Sequence, residues 1–338
     1  MSRRPVVEAE REAVEFGNSF RAKKVLVTGG AGFLGSWACE MLLAAGARVD
    51  CLDNFSTGSP ENVRHLAGKM RMIKGDVETA QVDPDYDYIF HMSSRASPEE
   101  YQTYPIETLR TNSMGTTRIL ELAKNSSAVM VYASTSEIYG DAKVIPTPES
   151  YFGYVSSMGV RSCYDEGKRF GEAMSMAYFR EHKVHIKIPR IFNSYGPRIR
   201  ADGIYGRVVP RFVLQALSGE PITIHGRGTQ TRSFSYVTDT IRGLLLLAIS
   251  EGTDGEAFNV GNPTEMTIRE LAEEIIRLTG SKSKLRFVES REEDPKRRCP
   301  DISKIKKLGW RPKVKLADGL STTIAHFEAA QAKGKGAL

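Results

Sequence analysis

Between Lys24-Val-Leu-Val-Thr28 and a helical stretch running to about Ala45 stand the glycines Gly29, Gly30, Gly32 and Gly35. The first stretch is a short apolar, β-branched run, the pattern of a parallel strand buried on both faces. Glycines at this spacing turn the chain tightly from strand to helix and let backbone N–H groups approach an anion at the helix N-terminus. The loop fits Gly29-x-x-Gly32-x-x-Gly35 and equally Gly30-x-Gly32-x-x-Gly35. A second strand, Arg48-Val-Asp-Cys-Leu52, follows the helix and ends in Asp53. Strand, glycine turn, helix, strand and terminal acid together predict a βαβ dinucleotide-binding unit. An acid at that place accepts hydrogen bonds from an adenosine ribose diol and repels a 2′-phosphate. Asn54, not arginine, follows it, so the expected cofactor is NAD rather than NADP.

The alternation continues with strands expected at Arg71–Lys74, Tyr86–His91, Val129–Ala133 and Glu181–Arg190, and with a long helix at about Pro105–Lys124. The expected fold class is α/β: a doubly wound parallel sheet of the Rossmann kind with a smaller C-terminal α/β substrate-binding domain. Residues 1–22 form an N-terminal extension, with a short helix at Val6–Phe16 carrying Val7 and Val14 on one side. Residues 23–192 make the NAD-binding domain, 193–330 mainly the substrate domain, and 331–338 a small, polar tail expected to fray. Ligands of such sheets sit beyond the carboxyl ends of the strands, which puts Thr28, Asp53, Asp76, Ser93 and Ser134 on one rim. Gly75-Asp76-Val77 stands where an adenine would be held.

Composition narrows the partners. The net charge of +6 is spread along the chain apart from Arg291–Lys307, and no nucleic-acid motif accompanies it, so an anionic small substrate is expected rather than nucleic acid. No apolar run reaches membrane-spanning length, and Met1–Phe20 carries Glu8, Glu10, Glu12 and Glu15, unlike a secretory signal. The four cysteines, Cys39, Cys51, Cys163 and Cys299, show no C-x-x-C spacing, which suits reduced thiols in a cytoplasm better than disulfides or a metal site.

The chemistry centres on Tyr164 and Lys168, four residues apart and so on one face of a helix. A free phenol titrates near about 10. A neighbouring lysine cation is expected to stabilise the phenolate and lower that value, making a base for a substrate hydroxyl. Ser134-Thr135-Ser136-Glu137 supplies a hydroxyl at Thr135 for the same oxygen and a carboxylate at Glu137. Further on, Arg297 and Arg298 are equally placed to bind carboxylate or phosphate, or to be solvated.

With the glycine loop, Thr135, Tyr164 and Lys168 in this order, Lys24 to Ala330 resembles the extended short-chain dehydrogenase/reductase family. The nearest resemblance within it is to UDP-glucuronate decarboxylases, or UDP-xylose synthases. It is carried by Cys51-Leu-Asp-Asn-Phe55, Ala133-Ser-Thr-Ser-Glu137, Arg161-Ser-Cys-Tyr-Asp-Glu-Gly-Lys-Arg169, Arg190-Ile-Phe-Asn193, Gln230-Thr-Arg-Ser-Phe234 and Arg298-Cys-Pro-Asp301, and by the long loop from Pro148 to Arg161. Related 4,6-dehydratases place an aspartate where Ser136 stands, as the acid for a departing hydroxyl, and 4-epimerases usually lack the carboxylate of Glu137. The pair Ser136-Glu137 therefore implies decarboxylation.

The resemblance implies an NAD site formed by Gly29, Gly32, Phe33, Leu34, Gly35, Asp53, Asn54 and Gly58. Asp76, Val77, Ser93, Asn112, Tyr164 and Lys168 complete it. It implies catalysis by Thr135, Ser136, Glu137, Tyr164, Lys168 and Arg298, and binding of UDP-glucuronate by Glu137, Asn193, Arg232 and Arg298. Tyr164 would deprotonate the sugar 4-hydroxyl as C4 is oxidised, the 4-ketone would release carbon dioxide, and C4 would be reduced again. A homodimer packed through Pro105–Lys124 and Arg161–His182 is also implied. A UDP-glucuronate 4-epimerase, an oxidative decarboxylase that stops at the ketone and a non-catalytic NAD-binding protein are the alternatives. Two departures, Ser94-Arg95 for Cys-Pro and Ser156-Ser157-Met158 for Asn-Pro-Ile, are both expected at the sugar pocket.

Overall fold

The structure, a computed structural model, describes residues 3–201, 207–290, 296–332 and 334. The beginning of the second region at Asp202, the stretch Glu293-Asp294-Pro295 and nearly all of the C-terminal tail lie outside the described residues.

Eight strands form the main sheet: β1 (Lys24–Thr28), β2 (Arg48–Asp53), β3 (Arg71–Lys74), β4 (Tyr88–His91), β5 (Val129–Tyr132), β6 (Ser134–Thr135), β7 (Ile186–Ile191) and β8 (Glu256–Val260). Their order is β8-β7-β5-β4-β1-β2-β3, with β6 also paired to β7, and every pairing is parallel. Alternation along β1 sends Val25 and Val27 to one face and Leu26 to the other. Helices α1 (Phe33–Ala44) and α4 (Val237–Ile249) cover the valine face, and α2 (Thr116–Ser126) and α3 (Ser162–His182) the leucine face.

The strand expected at Glu181–Arg190 begins later, because α3 continues through His182 and closes on Lys183 in the left-handed region (φ 58°). The helix expected at Pro105–Lys124 is present but carries a π-turn at Thr111–Gly115, which lets Asn112 reach both Ser94 Oγ (3.0 Å) and the Thr108 carbonyl (2.9 Å). Helix α3 can lie close to β5 because position 171 is glycine: a Cβ there would stand 2.0 Å from the Tyr132 hydroxyl oxygen. Among the described residues no helix is long and apolar enough to cross a membrane.

The chain leaves the sheet after β7 and comes back to it within the stretch assigned to the second region, through α4 and the edge strand β8. The remainder builds a small sheet in which Thr231–Ser233 lies between Glu265–Thr267, antiparallel, and Arg297–Arg298, parallel. Its register sets Arg232 beside Arg298. Two further strand pairs, Ile222–His225 with Leu285–Val288 and Ser194–Tyr195 with Ser235–Tyr236, complete this region.

The N-terminal extension is helical at Arg3–Ala13, with short turns at Val14–Phe16 and Gly17–Phe20. Val14, expected on one side of the helix with Val7, is 79% exposed, and the side chain of Val7 lies outside the described residues; the buried stripe is Ala9, Ala13, Phe16 and Phe20. Polar contacts fix the segment at its other face: Tyr236 Oη donates to Glu8 (3.1 Å), and Arg242 Nε donates to Glu15 (2.6 Å). Phe20 meets Tyr88 edge-on at 5.0 Å between ring centroids, so the extension is part of the sheet's core. Phe20→Ala is expected to destabilise the fold by about 3–5 kcal/mol, read as a fall in the urea midpoint.

Candidate active site

The sheet order reverses between β1 and β4, and the glycine loop crosses that point. Gly29 has φ +68°, and a Cβ there would stand 3.0 Å from the Met92 backbone beyond β4. A Cβ on Gly35 would lie 2.0 Å from the Gly29 carbonyl oxygen, so α1 can approach the loop only without one. Gly32 caps α1 in an extended conformation with no side-chain partner for the first N–H groups, and a Cβ on it would meet only Gly29 O within 4 Å. Free helix donors facing a cavity that no side chain fills fit an anion such as a pyrophosphate. At the end of β2, Asp53 accepts the backbone N–H groups of Ala31 (2.9 Å) and Phe55 (2.7 Å), and burial raises its pKa. Asn54 Nδ2 donates to Asp76 (2.9 Å), tying the ends of β2 and β3 together. The residues present therefore fit NAD.

One cavity of about 720 Å³ runs from this loop to the small sheet. Gly29, Gly32, Phe33, Leu34, Gly35, Asp53, Asn54, Asp76, Val77 and Ser93 line one end. Thr135, Ser136, Glu137, Tyr164, Lys168, Asn193, Arg232 and Arg298 line the other. Gly58 and Asn112 are not on its wall. Gly58 backs Asp53, where a Cβ would stand 2.8 Å from either carboxylate oxygen, and Asn112 is buried in the π-turn. Thr28 is also buried beneath the rim rather than on it, bonded to His91 Nδ1 at 2.7 Å.

At the chemical end, Thr135 Oγ1 accepts the Glu137 N–H (3.2 Å), which leaves its hydroxyl proton for Tyr164, to which it is hydrogen-bonded. Glu137 faces two guanidinium groups. Arg298 donates to it through both Nη atoms, Nη2 at 2.8 Å, and Arg161 donates through Nη2. Burial works against the carboxylate, but the charges of Arg298 and Arg161 outweigh it and hold Glu137 down at about 2. Arg297, the neighbour that the sequence left equally eligible, points outward to Glu265 at the surface. Strand alternation separates the two arginines.

The match to the NAD dependent epimerase/dehydratase family model spans residues 25–261. The chain belongs to that family. UDP-glucuronic acid decarboxylase 1 of Danio rerio is 45% identical over 320 residues, 93% of this chain and 75% of that protein. UDP-glucuronic acid decarboxylase 3 of Arabidopsis thaliana is 46% identical over 301 residues, 88% of this chain and 86% of that one. The solved UDP-glucuronic acid 4-epimerase of Bacillus cereus, in complex with UDP-glucuronic acid and NAD, superposes with a TM-score of 0.82 at 29% identity, covering 90% of this chain and 99% of that one. Backbone shape is thus shared between this chain and a 4-epimerase, and side chains must separate the reactions of the family.

At the family's tyrosine–lysine pair, burial works against the expected lowering. Burial pushes the Tyr164 phenol up to about 12, and the charge of Glu137 adds to that. The Thr135 hydrogen bond and the charge of Arg207 pull the other way. Lys168 is itself pulled down to about 7 by burial, and its Nζ donates to the Ala133 carbonyl (2.9 Å). Desolvation therefore outweighs the neighbouring charge at both groups. The two departures also separate. Ser94 and Arg95 are on the cavity wall, where Arg95 pairs with buried Glu100 (3.0 Å) and lies over the Tyr104 ring (4.4 Å). Ser156-Ser157-Met158 is a surface turn away from the cavity, with Met158 94% exposed.

Sequence reasoning missed Arg161, Tyr101 and Arg207. Arg161 is one helical turn before Tyr164, so its approach to Glu137 had a signal in spacing. Tyr101, stacked on the Tyr164 ring at 5.1 Å and 4°, comes from the separate helix Pro98–Thr103 and had none. Gly35→Ala is expected to lower the NAD retained by the purified protein at least about tenfold, a loss of about 1.4 kcal/mol or more. Far-UV circular dichroism should stay near wild type, and nucleotide released on denaturation measures the effect.

Proposed function

We infer that the chain converts UDP-glucuronate to UDP-xylose and carbon dioxide, an NAD-dependent carboxy-lyase reaction with no net redox change. The observation that carries the choice is at positions 136 and 137: Ser136 is buried on the cavity wall where an acid for a leaving hydroxyl would be needed, and Glu137 is held ionised by two arginines. The named relatives at 45% and 46% identity support the same reading.

NAD, when bound, supplies the acceptor for the C4 hydride and returns it at the end. Tyr164 takes the proton of the sugar 4-hydroxyl as its phenolate, a form that burial disfavours and that the Thr135 hydrogen bond, the charge of Arg207 and the positive charge of a bound nicotinamide would favour. Thr135 also orients that hydroxyl through its bond to the phenol oxygen. Lys168, beside the phenol and fixed on the Ala133 carbonyl, holds the nicotinamide ribose. The resulting ketone is β to the C6 carboxylate, so the C5–C6 bond breaks with its electrons passing into an enolate. Glu137 and Arg298 position the sugar ring and carboxylate, and Arg161 keeps Glu137 in place. Arg232, neighbouring Arg298 in the small sheet, meets a phosphate, and Asn193 holds the nucleotide from the end of β7.

Exposed Ile106, Leu109 and Met114 on the helix before α2, with Phe170 on α3, support a homodimer through these helices. Four buried, unpaired cysteines support a reducing, cytoplasmic setting. Ile106→Asp is expected to convert the dimer to monomer in sedimentation velocity.

Incubation with NAD and carboxyl-labelled UDP-glucuronate tests the reaction. Labelled carbon dioxide and a pentose nucleotide are expected, without accumulation of absorbance from NADH. A product that keeps its label would establish the 4-epimerase instead. Tyr164→Phe is expected to reduce carbon dioxide release by at least about 10²-fold while NAD remains bound.

A further inference from the structure

Behind Glu137 lies a second carboxylate that the reaction as derived leaves unused. Asp165 is on the first turn of α3, beside Tyr164 and four residues after Arg161, and only 4% of it is exposed. Arg161 stands between the two acids: its Nη2 donates to Glu137, and its Nε is 3.5 Å from Asp165 Oδ2. Arg298 gives both Nη atoms to Glu137 and acts on Asp165 through its charge alone, so Arg161 is the guanidinium that Asp165 contacts directly. Asp165 Oδ1 is buried with no hydrogen-bond partner among the described residues. The other ionisable groups facing Asp165 are Tyr101 from the helix Pro98–Thr103, and Cys163 and Tyr164 from its own helix. None of these supplies it with positive charge.

We propose that Asp165 is a positioning residue whose proton sets the charge of the Glu137–Arg161–Arg298 cluster, so that a sugar carboxylate binds together with a proton on Asp165. The proposal rests on the decarboxylase reading. Arg232 and Arg207 add their charges around Glu137, and with Asp165 neutral the site carries one more net positive charge than with Asp165 ionised. An incoming carboxylate therefore favours the neutral form. Burial and then the charge of Glu137 push Asp165 up to about 7, while Glu137 stays at about 2, so the two acids respond differently at neutral pH. The overall reaction consumes a proton: the C5–C6 bond breaks, carbon dioxide leaves, the electron pair passes through the enolate into a new C5–H bond, and solvent supplies that hydrogen. A site that takes up a proton as the carboxylate arrives is matched to this balance, although Asp165 itself need not deliver it.

The test uses NAD-loaded Tyr164→Phe protein, which binds without turnover, with UDP-glucuronate and UDP-xylose compared by calorimetry from pH 6 to pH 9. The ratio of the two affinities is expected to fall about tenfold on the alkaline side of neutrality, the effect of one unit of coupling between carboxylates. Measurement in buffers of different ionisation enthalpy should show more proton uptake with UDP-glucuronate than with UDP-xylose. Adding Asp165→Asn should make the ratio independent of pH and abolish the extra uptake. Lys168 is common to both ligands and both proteins, so the comparison separates it from Asp165. A pH-independent ratio or equal uptake in the Tyr164→Phe protein overturns the proposal even if the double variant fails to fold. An unchanged profile in a folded double variant overturns it as well. Failure of the decarboxylase reading would show separately, as wild-type protein that releases no carbon dioxide.

Discussion

The contact between Glu137 and Arg298, 161 residues apart in the chain, joins the main sheet to the region that closes over it. Glu137 follows β6 at the carboxyl end of the sheet, and Arg298 belongs to the small sheet. Removing such charges from water is unfavourable enough that a buried pair of this kind is poor evidence for stability. Its effect is positional. Arg298 is set by its register with Arg232 and by the adjoining backbone, where Thr147 donates to Cys299 O (2.9 Å) and accepts from Asp301 N–H (3.0 Å). Each of these restraints holds the guanidinium over Glu137, and leaving either partner alone in the cavity would be far less favourable than keeping both.

Burial also dominates the remaining electrostatics. His91, under the glycine loop, is pulled down to about 3 by desolvation and is a neutral hydrogen-bonding group between Thr28 and Thr116. Tyr164 and Lys168 move toward their uncharged forms for the same reason. Surface pairs such as Lys24–Asp83 and Arg269–Glu273 sit in a different regime, where solvent screens them and their contribution is small. The chemistry is thus placed where a positioned charge has a large effect.

This contrast explains how much of the molecule the sequence disclosed. The βαβ unit was legible because its glycines answer to local geometry: each steric conflict at Gly29 and Gly35 lies within the loop or against the next strand of the sheet. The parallel sheet followed from apolar runs with the right length and spacing, and so did the doubly wound class. The N-terminal helix was legible but its buried stripe was not, because that stripe is made by Ala9 and Ala13 as well as Phe16, and alanine hardly registers beside valine. The fate of Arg297 and Arg298 depended on strand pairing that no local pattern discloses. The pKa shift of Tyr164 follows from proximity alone in the sequence, and the sequence carries no sign of a shift at Lys168. Their direction came from how completely neighbouring elements exclude water, a property of the packed molecule.

The same distinction bears on why one fold supports several reactions. Oxidation at C4 is common to epimerisation, dehydration and decarboxylation, and the Tyr164–Lys168 side of the cavity serves it without choosing among them. A dehydration needs an acid to protonate a leaving hydroxyl; a decarboxylation needs none, because carbon dioxide leaves neutral and the ketone accepts the electrons. Ser136 supplies no such acid, and Glu137, pinned as an anion by Arg298 and Arg161, cannot serve as one at neutral pH. The opposite wall therefore selects the outcome by withholding a proton from C6.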